Sequence, residues 1–322
     1  MHIPENYLSP STCGVLAVAM VPVWAHATKK VKQEVSKEKL PLLGVGAAFS
    51  FVAMMFNVPM VGGTTGHATG AALLAILLGP NAAVLCMSAA LLLQAVLFGD
   101  GGILSFGANC FNMAFIIPYL SYFIYNSLIK NNASNKKKII SAAIASYIGL
   151  NVAALFAAIE FGIQPYLFKD SLGNPLYCPY GLNVSIPSMM LGHLLVFGFI
   201  EAIFTSGVLA YVLKTEPELI NDSNINSTKK PLYYLLLALI VLVPIGLLAS
   251  GTAWGEWGNE ELSEMLGYVP SGILNGFSLE SLFPDYSISG LSSVLGYYLS
   301  AIIGVGVLII IFKLFANKKK SV

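Results

Sequence analysis

Long apolar stretches separated by short polar breaks dominate this chain and limit what it can fold into. A helix that crosses a bilayer needs about 20 mainly apolar residues. Only 10% of the 322 residues are charged, whereas an ordinary soluble domain carries about 25%. The pattern predicts an all-α integral membrane protein. Nine candidate segments lie at about 8–28, 41–60, 68–79, 81–98, 103–129, 138–163, 184–213, 231–250 and 291–312.

A polar stretch at 216–230, without periodicity, divides seven of these segments from the last two. Such composition is typical of a linker. We therefore predict a seven-helix bundle at 1–215 and a two-helix C-terminal unit at 231–322. An acidic, aromatic and glycine-rich extracytoplasmic loop at about 251–290 lies inside that unit. The third segment is short, and we expect it to form a broken pair with the fourth, turning at Gly79.

Lysines cluster at the ends of the apolar segments, and this distribution predicts the topology. Cytoplasmic loops carry an excess of Lys and Arg. With nine crossings every cluster falls on one side, whereas one crossing more or fewer would split them. We predict a multi-pass protein of the cell membrane, with its N-terminus outside and its C-terminus in the cytoplasm. The clusters are Lys29, Lys30, Lys32, Lys37 and Lys39; Lys130 and 136–138; Lys214, Lys229 and Lys230; and Lys313 and 318–320.

The same distribution argues against nucleic-acid binding, because the net charge is only +1 and no basic face is formed. The N-terminus lacks a basic region and a cleavage site of small residues, so we expect the first segment to remain attached. The four cysteines are scattered without C-x-x-C spacing. We expect them to be buried as small apolar residues, without a disulfide framework.

Ionisable residues inside a bilayer are costly and need a reason, so the four histidines are informative. His26 is explained as an interfacial residue. For His193 a helix-to-helix hydrogen bond is favoured over the alternative of a metal-binding or relay role. His2 and His67 differ because the predicted topology brings both to the outer side. His67 also follows a glycine-rich run at 61–66, where irregular backbone can line a cavity.

The first two residues contain donors that can chelate a metal. The free amine of Met1, the amide nitrogen of His2 and its imidazole can close fused five- and six-membered rings around one ion. Three positions of a square plane are then filled, and His67 can supply the fourth nitrogen. Such a donor set suits Ni(II) or Cu(II). The simpler alternative is that Met1 only marks the start of translation and that His2 is an exposed polar residue.

Other functions are less consistent with the sequence. An intramembrane metalloenzyme is disfavoured because there is no His-Glu-x-x-His, and neither Glu160 nor Glu201 has a histidine at helical spacing. A metal-sensing receptor would need a cytoplasmic signalling domain. A vitamin-binding membrane protein would need an aromatic pocket and no free amine. The chain also lacks a Gly-x-x-x-x-Gly-Lys-[Ser/Thr] loop, so ATP hydrolysis would require separate subunits.

Several long motifs resemble one family. They are Met-His-Ile-Pro-Glu-Asn-Tyr-Leu-Ser-Pro at 1–10, Gly-Gly-Thr-Thr-Gly-His at 62–67, Phe-Gly-Asp-Gly-Gly at 98–102 and Gly-Ala-Asn-Cys-Phe-Asn-Met at 107–113. In this order, over about 1–215, they closely resemble the CbiM/NikM family, the substrate-binding components of energy-coupling-factor transporters for cobalt and nickel. Residues 231–322 look like the small NikN-like accessory component, here fused as in the nickel form of the family.

The resemblance implies that Met1, His2 and His67 hold a transported Ni²⁺ or Co²⁺, with no resident cofactor. It also implies a separate transmembrane coupling subunit and separate ATPase subunits as partners. A ligating imidazole normally needs a partner for its second nitrogen. The motif positions that could support the ligands in this way are Asp100, Asn109 and Asn112. Asn6 departs from the family, which often has glycine there, and we expect it to change only a turn.

Overall fold

The computed structural model describes residues 1–35, 40–59, 65–129, 133–217, 230–249 and 252–317. Within these ranges each predicted apolar segment contains a helix. Six helical stretches are long and apolar enough to cross a membrane: Pro10–Glu34, Pro80–Phe98, Asn135–Leu167, Leu182–Thr215, Pro231–Leu248 and Ser293–Ala316. The chain is therefore an all-α, multi-pass membrane protein. Much of the predicted linker, 218–229, lies outside the described residues.

The α-helices, in chain order, are α1 Pro10–Glu34, α2 Leu40–Met54, α3 Ala71–Leu78, α4 Pro80–Leu93, α5 Phe106–Asn109, α6 Ile117–Leu128, α7 Asn135–Gly162, α8 Gln164–Leu167, α9 Leu182–Gly192, α10 Gly198–Thr215, α11 Lys230–Leu242, α12 Asn259–Leu266, α13 Ser271–Leu274 and α14 Ser293–Asn317. Three π-helical segments extend or join them: Gln94–Phe98 after α4, Cys110–Ile116 between α5 and α6, and His193–Phe197 between α9 and α10. Two 3₁₀ turns cover Val243–Leu248 and Pro284–Tyr286. Strands β1 Val58–Pro59 and β2 Thr65–Gly66 pair antiparallel.

The start of α1 leaves the first nine residues outside the helix. The hydroxyl of Ser9 accepts a hydrogen bond from the N–H of Thr12 at 3.1 Å, and Pro10 occupies the first helical position. Both are standard signals for a helix N-terminus. Residues 1–9 are therefore free to fold across the end of the bundle.

The second and third predicted segments differ in extent from the helices that form. Helix α2 ends at Met54, and β1 follows within the stretch expected to be helical. Pro59, which lacks an N–H group, cannot continue a helical hydrogen-bond ladder. Helix α3 has only 8 residues and meets α4 at Gly79, where φ is +84°. The two helices pack together inside the bundle, as expected for a broken pair.

The C-terminal helices pack on the N-terminal bundle. Helix α14 runs along α2, and the hydroxyl of Tyr297 donates to the main-chain oxygen of Met55 at 2.6 Å. The loop before α14 folds over the first residues of the chain, where the hydroxyl of Tyr7 donates to the main-chain oxygen of Trp257 at 2.6 Å. The same end of the bundle thus carries both the N-terminus and this loop. All four cysteines are free and buried, as predicted.

Candidate metal centre

Hydrogen bonds to Ile3 fix the N-terminal segment to α5 and to the loop before it. The N–H group of Ile3 donates to Oδ1 of Asn109 at 2.7 Å, and its carbonyl accepts from Nδ2 of the same side chain at 3.1 Å. That carbonyl also accepts from the hydroxyl of Ser105 at 2.6 Å and from the N–H of Gly102 at 2.9 Å. These contacts bury His2 to 2% exposure.

The motif residues 100–102 fit closely under this segment. A Cβ atom on Gly102 would lie 2.7 Å from Cα of Glu5, so a side chain there would displace the N-terminal segment. The next residue, Asn6, adopts a φ of +63°. Asparagine tolerates this left-handed conformation better than most residues. The departure from glycine at this position is therefore accommodated in the turn.

His2 and His67 are brought together by the fold although 65 positions separate them. Nδ1 of His2 lies 3.2 Å from Nε2 of His67, and their ring centroids are 5.0 Å apart. The other ring nitrogen of His67, Nδ1, lies 3.2 Å from the main-chain oxygen of Ala68. Burial and the nearby positive amine lower the pKa of His2 to about 4, and burial lowers the pKa of His67 as well. Both imidazoles are therefore neutral at neutral pH.

The amine of Met1 is held by a residue of the C-terminal unit. It donates to Oε1 of Glu256 at 3.0 Å, and the two side chains are only 3% and 22% exposed. Met1 itself is buried. The positive amine therefore has a negative partner next to the two imidazoles.

Asp100, one of the predicted supporting residues, contacts the His2 ring. Its Oδ1 lies 3.1 Å from Nδ1 of His2. Its Oδ2 accepts from the hydroxyl of Tyr286 at 2.5 Å and from Nε2 of Gln94 at 3.1 Å. Gln94, Tyr286 and Glu256 were not predicted from the sequence. No local sequence pattern links them to the two histidines, and two of the three belong to the C-terminal unit.

A cavity of about 320 Å³ lies between the two parts of the chain. Its lining includes His2, His67, Asp100, Glu256, Asp285 and Tyr297. Among the described residues, no group of three or more His, Cys, Asp or Glu side chains is arranged to hold a metal ion.

The backbone at the rim of this cavity is strained. Asp285 and Tyr286 both have positive φ, at 51° and 59°, although neither is glycine. Such conformations cost energy and persist only where the surroundings hold them. The hydroxyl of Ser300 does so by donating to the main-chain oxygen of Tyr286 at 2.9 Å. Burial, with the negative charge of Asp100, raises the pKa of Asp285.

The backbone around His67 rests on one face of the helix formed by α9, its π segment and α10. A Cβ atom on Gly66 would lie 2.6 Å from Cζ of Phe197. Four residues further along, Oε2 of Glu201 accepts the N–H of Thr69 at 2.6 Å. Residues four apart lie on the same face of a helix. This helix therefore supports the chain on both sides of His67.

Three other predicted residues lie elsewhere. The amide of Asn112 donates to Oε2 of Glu160 at 2.7 Å. This side chain therefore contacts α7 and not the imidazoles. His193 hydrogen-bonds the main-chain oxygen of Met189 at 2.8 Å within its own helical stretch, not another helix as expected. His26 is exposed near the end of α1, as expected for an interfacial residue.

The chain is a helical membrane protein with two adjacent imidazoles, those of buried His2 and half-buried His67, at one end of the bundle. Residues 2–219 match the CbiM family, described as "Cobalt uptake substrate-specific transmembrane region", and residues 228–319 match the PDGLE domain. The chain belongs to the CbiM family and carries a C-terminal PDGLE domain, similar to NikN, fused to it.

Similar proteins share nearly the whole chain. It is 48% identical to the "Probable fused nickel transport protein LarMN" of Lactiplantibacillus plantarum, covering 97% of each chain. It is 45% identical to the "Fused nickel transport protein NikMN" of Rhodobacter capsulatus, covering 96% of this chain and 95% of that protein. A solved "transition metal transporter" is 54% identical with a TM-score of 0.64, covering 68% of this chain and 95% of the other. This chain is therefore a metal-transporter component and not an enzyme, and the metal is its cargo and not a cofactor.

Proposed function

We propose that this chain captures Ni²⁺ at the amine of Met1, the amide nitrogen and Nδ1 of His2, and Nε2 of His67. The observation that carries the proposal is the 3.2 Å separation between Nδ1 of His2 and Nε2 of His67. Metal–imidazole bonds are about 2.0–2.1 Å long. Adjacent nitrogens of a square plane around such a metal therefore lie about 2.9 Å apart, close to the spacing between these two ring nitrogens.

Protonation also supports this site. Both imidazoles have a lowered pKa and are neutral, which a metal ligand requires. His2, His67 and Asp100 also line a cavity of about 320 Å³. Three nitrogens in consecutive positions at the N-terminus enforce a planar arrangement, which Ni(II) accepts readily.

Nickel is proposed ahead of cobalt because the two full-length relatives named above, at 48% and 45% identity, are nickel transport proteins by name. The alternative is a Co²⁺ importer that supplies cobalamin synthesis. The family match is itself described by cobalt uptake. Affinity at nitrogen sites generally rises from Co²⁺ to Ni²⁺, so the two ions must be compared directly.

We further infer that the chain is the substrate-binding component of an energy-coupling-factor importer. A transmembrane coupling subunit and ATPase subunits would supply the energy, since the sequence contains no phosphate-binding loop of its own. The division into residues 1–215, a linker at 216–230 and an accessory unit at 231–322 belongs to this proposal. The topology is also part of this proposal: the lysine clusters face the cytoplasm, and the metal is loaded from outside.

The test is metal binding by the purified full-length protein, with retention of Met1 and removal of its formyl group verified by mass spectrometry. Calorimetry with Ni²⁺ and with Co²⁺ measures the preference, and elemental analysis measures the metal content. An alanine inserted between Met1 and His2 removes the fused chelate rings, so we expect the affinity to fall more than about 100-fold, beyond the 10–100-fold typical of supporting residues. His67→Ala should also weaken binding.

His26→Ala is the matched control, because it removes an exposed histidine far from the cavity and should bind as the natural protein does. Unchanged affinity in the insertion variant would rule out the chelate. Co²⁺ binding more tightly than Ni²⁺ would favour the cobalt alternative.

A further inference from the structure

Two buried polar atoms, one in the His2 ring and one in a nearby side chain, have no hydrogen-bond partner among the described residues. They are Nε2 of His2 and Oε1 of Gln94. His2 is 2% exposed and Gln94 is 0% exposed, so bulk water does not reach them. The Gln94 side chain is close enough to the His2 ring to interact with it. Unpartnered buried polar atoms are rare and call for an explanation.

The orientation of the Gln94 amide is fixed by its other contacts. Its Nε2 donates to Oδ2 of Asp100 at 3.1 Å and to the hydroxyl oxygen of Tyr286 at 2.8 Å. The hydroxyl of Tyr286 in turn donates to the same carboxylate. A carboxylate only accepts, so the amide nitrogen must face Asp100 and the amide oxygen is left for His2.

The hydrogen of the neutral His2 ring can be placed in the same way. Oδ1 of Asp100 lies 3.1 Å from Nδ1 of His2 and can only accept. His67 donates its Nδ1–H to the oxygen of Ala68, so its neutral ring presents Nε2 to His2 as a second acceptor. The hydrogen of His2 is therefore on Nδ1, and Nε2 is bare. Nε2 of His2 and the oxygen of Gln94 are then both acceptors, and neither has a donor partner among the described residues.

Metal loading as proposed above requires the opposite tautomer, because the six-membered chelate ring closes through Nδ1. We propose that Gln94 is a positioning residue for loading: its carbonyl accepts the Nε2–H of His2 in the metal-bound state, while Asp100 holds Nδ1–H in the metal-free state. The ring gains and loses no net proton. The protons of the amine and the amide leave to water, and the metal replaces the hydrogen between the two imidazoles.

The inference rests on the proposed function and links the site to the C-terminal unit. Tyr286, in the 3₁₀ turn Pro284–Tyr286, contacts both Gln94 and Asp100. Tyr286 therefore orients both acceptors: Asp100 for the tautomer with Nδ1–H and Gln94 for the tautomer with Nε2–H. A ligating imidazole usually donates its other N–H to such a partner, and loss of the partner typically weakens metal binding 10–100-fold.

The direct test is ¹⁵N NMR of the full-length protein labelled at its four histidine rings, without metal and with Ni²⁺. Square-planar Ni²⁺ is diamagnetic, so the ring signals remain sharp. We expect the His2 ring to carry Nδ1–H without metal and Nε2–H with metal. The same tautomer in both states would overturn the inference without any variant being made.

Gln94→Met gives a second test, since it keeps the length of the side chain and removes the acceptor. We expect Ni²⁺ affinity to fall 10–100-fold, and the Nε2–H signal of the loaded protein to exchange faster with water. Asn81→Leu is the control: this amide lies at the other end of the same helix, accepts from Tyr119, and should leave both readouts unchanged.

The outcomes separate this inference from the function on which it rests. If His2→Ala binds Ni²⁺ as the natural protein does, the proposed site itself fails. If His2→Ala abolishes binding but Gln94→Met binds with natural affinity and natural exchange of Nε2–H, the site stands and the role of Gln94 is refuted.

Discussion

The amine of Met1 donates to the carboxylate of Glu256 at 3.0 Å and thereby joins residues 255 positions apart. An ammonium group has no lone pair for a metal, so loading at the proposed site must replace this ion pair. The contact also fixes the N-terminal segment to the loop of the C-terminal unit. The fused accessory unit thus contacts one of the proposed ligands directly.

Glu256→Gln should lower the stability of the metal-free protein. The pair is largely buried, and a hydrogen bond between charged groups contributes about 1.5–3 kcal/mol. We expect a loss of that order in the free energy of unfolding, measured by thermal denaturation in detergent. Glu264→Gln, which neutralises an exposed carboxylate of the same loop, is the control and should change little. Equal effects of the two variants would contradict a specific contact with the amine.

Metal affinity should fall as pH is lowered. The His2 pKa, lowered to about 4 by burial, keeps that ring neutral above pH 5, and His67 is also neutral. Neither ring then releases a proton on binding, whereas the amide and the ammonium of Met1 release one each. About two protons per metal correspond to an affinity change of up to about 100-fold per pH unit. Calorimetry in buffers of different ionisation enthalpy counts these protons, and an affinity that does not change with pH would exclude the main-chain ligands.

Asn109 and Asn112 should differ although their motif positions are close. Asn109→Leu removes the hydrogen bonds that hold Ile3, so we expect Ni²⁺ affinity to fall 10–100-fold as for loss of a supporting residue. Asn112→Leu removes the partner of Glu160 instead. It should lower thermal stability and change affinity much less. Calorimetry on both variants measures their Ni²⁺ affinities. A larger loss of affinity for Asn112→Leu than for Asn109→Leu would refute the different roles assigned to the two residues.

Gly66→Ala should weaken metal binding through His67. The added Cβ would lie 2.6 Å from the Phe197 ring, so the chain beside His67 must shift. Phe197→Leu makes room, and the double variant should recover much of the affinity lost by Gly66→Ala alone. Such non-additivity is expected for residues in contact. Affinities of the two single variants and the double variant, compared as a cycle, measure the coupling, and purely additive losses would be inconsistent with it.

Much of the fold could be predicted from local sequence, because a helix that spans a membrane is identified by its own composition. Each helix must contain enough apolar residues of its own, so the segment positions followed from composition. The pairing of His2 with His67 followed from chelate chemistry and from the family resemblance, and the structure places them 3.2 Å apart. The end of α2 at Met54 was missed, because the apolar run continues beyond it into β1, which contains Pro59.

The surroundings of the site were decided only by tertiary structure. Asp100 lies where its motif suggested, but Asn112 pairs with Glu160, since the irregular helix that carries it turns the side chain towards α7. Glu256 and Tyr286 reach the site only because α14 packs along α2 and folds the preceding loop over the N-terminus. The sequence alone determined the apolar segments and the donor atoms, which are properties of neighbouring residues. Which groups hold those donors depends on contacts across the whole chain, and no local pattern encodes them.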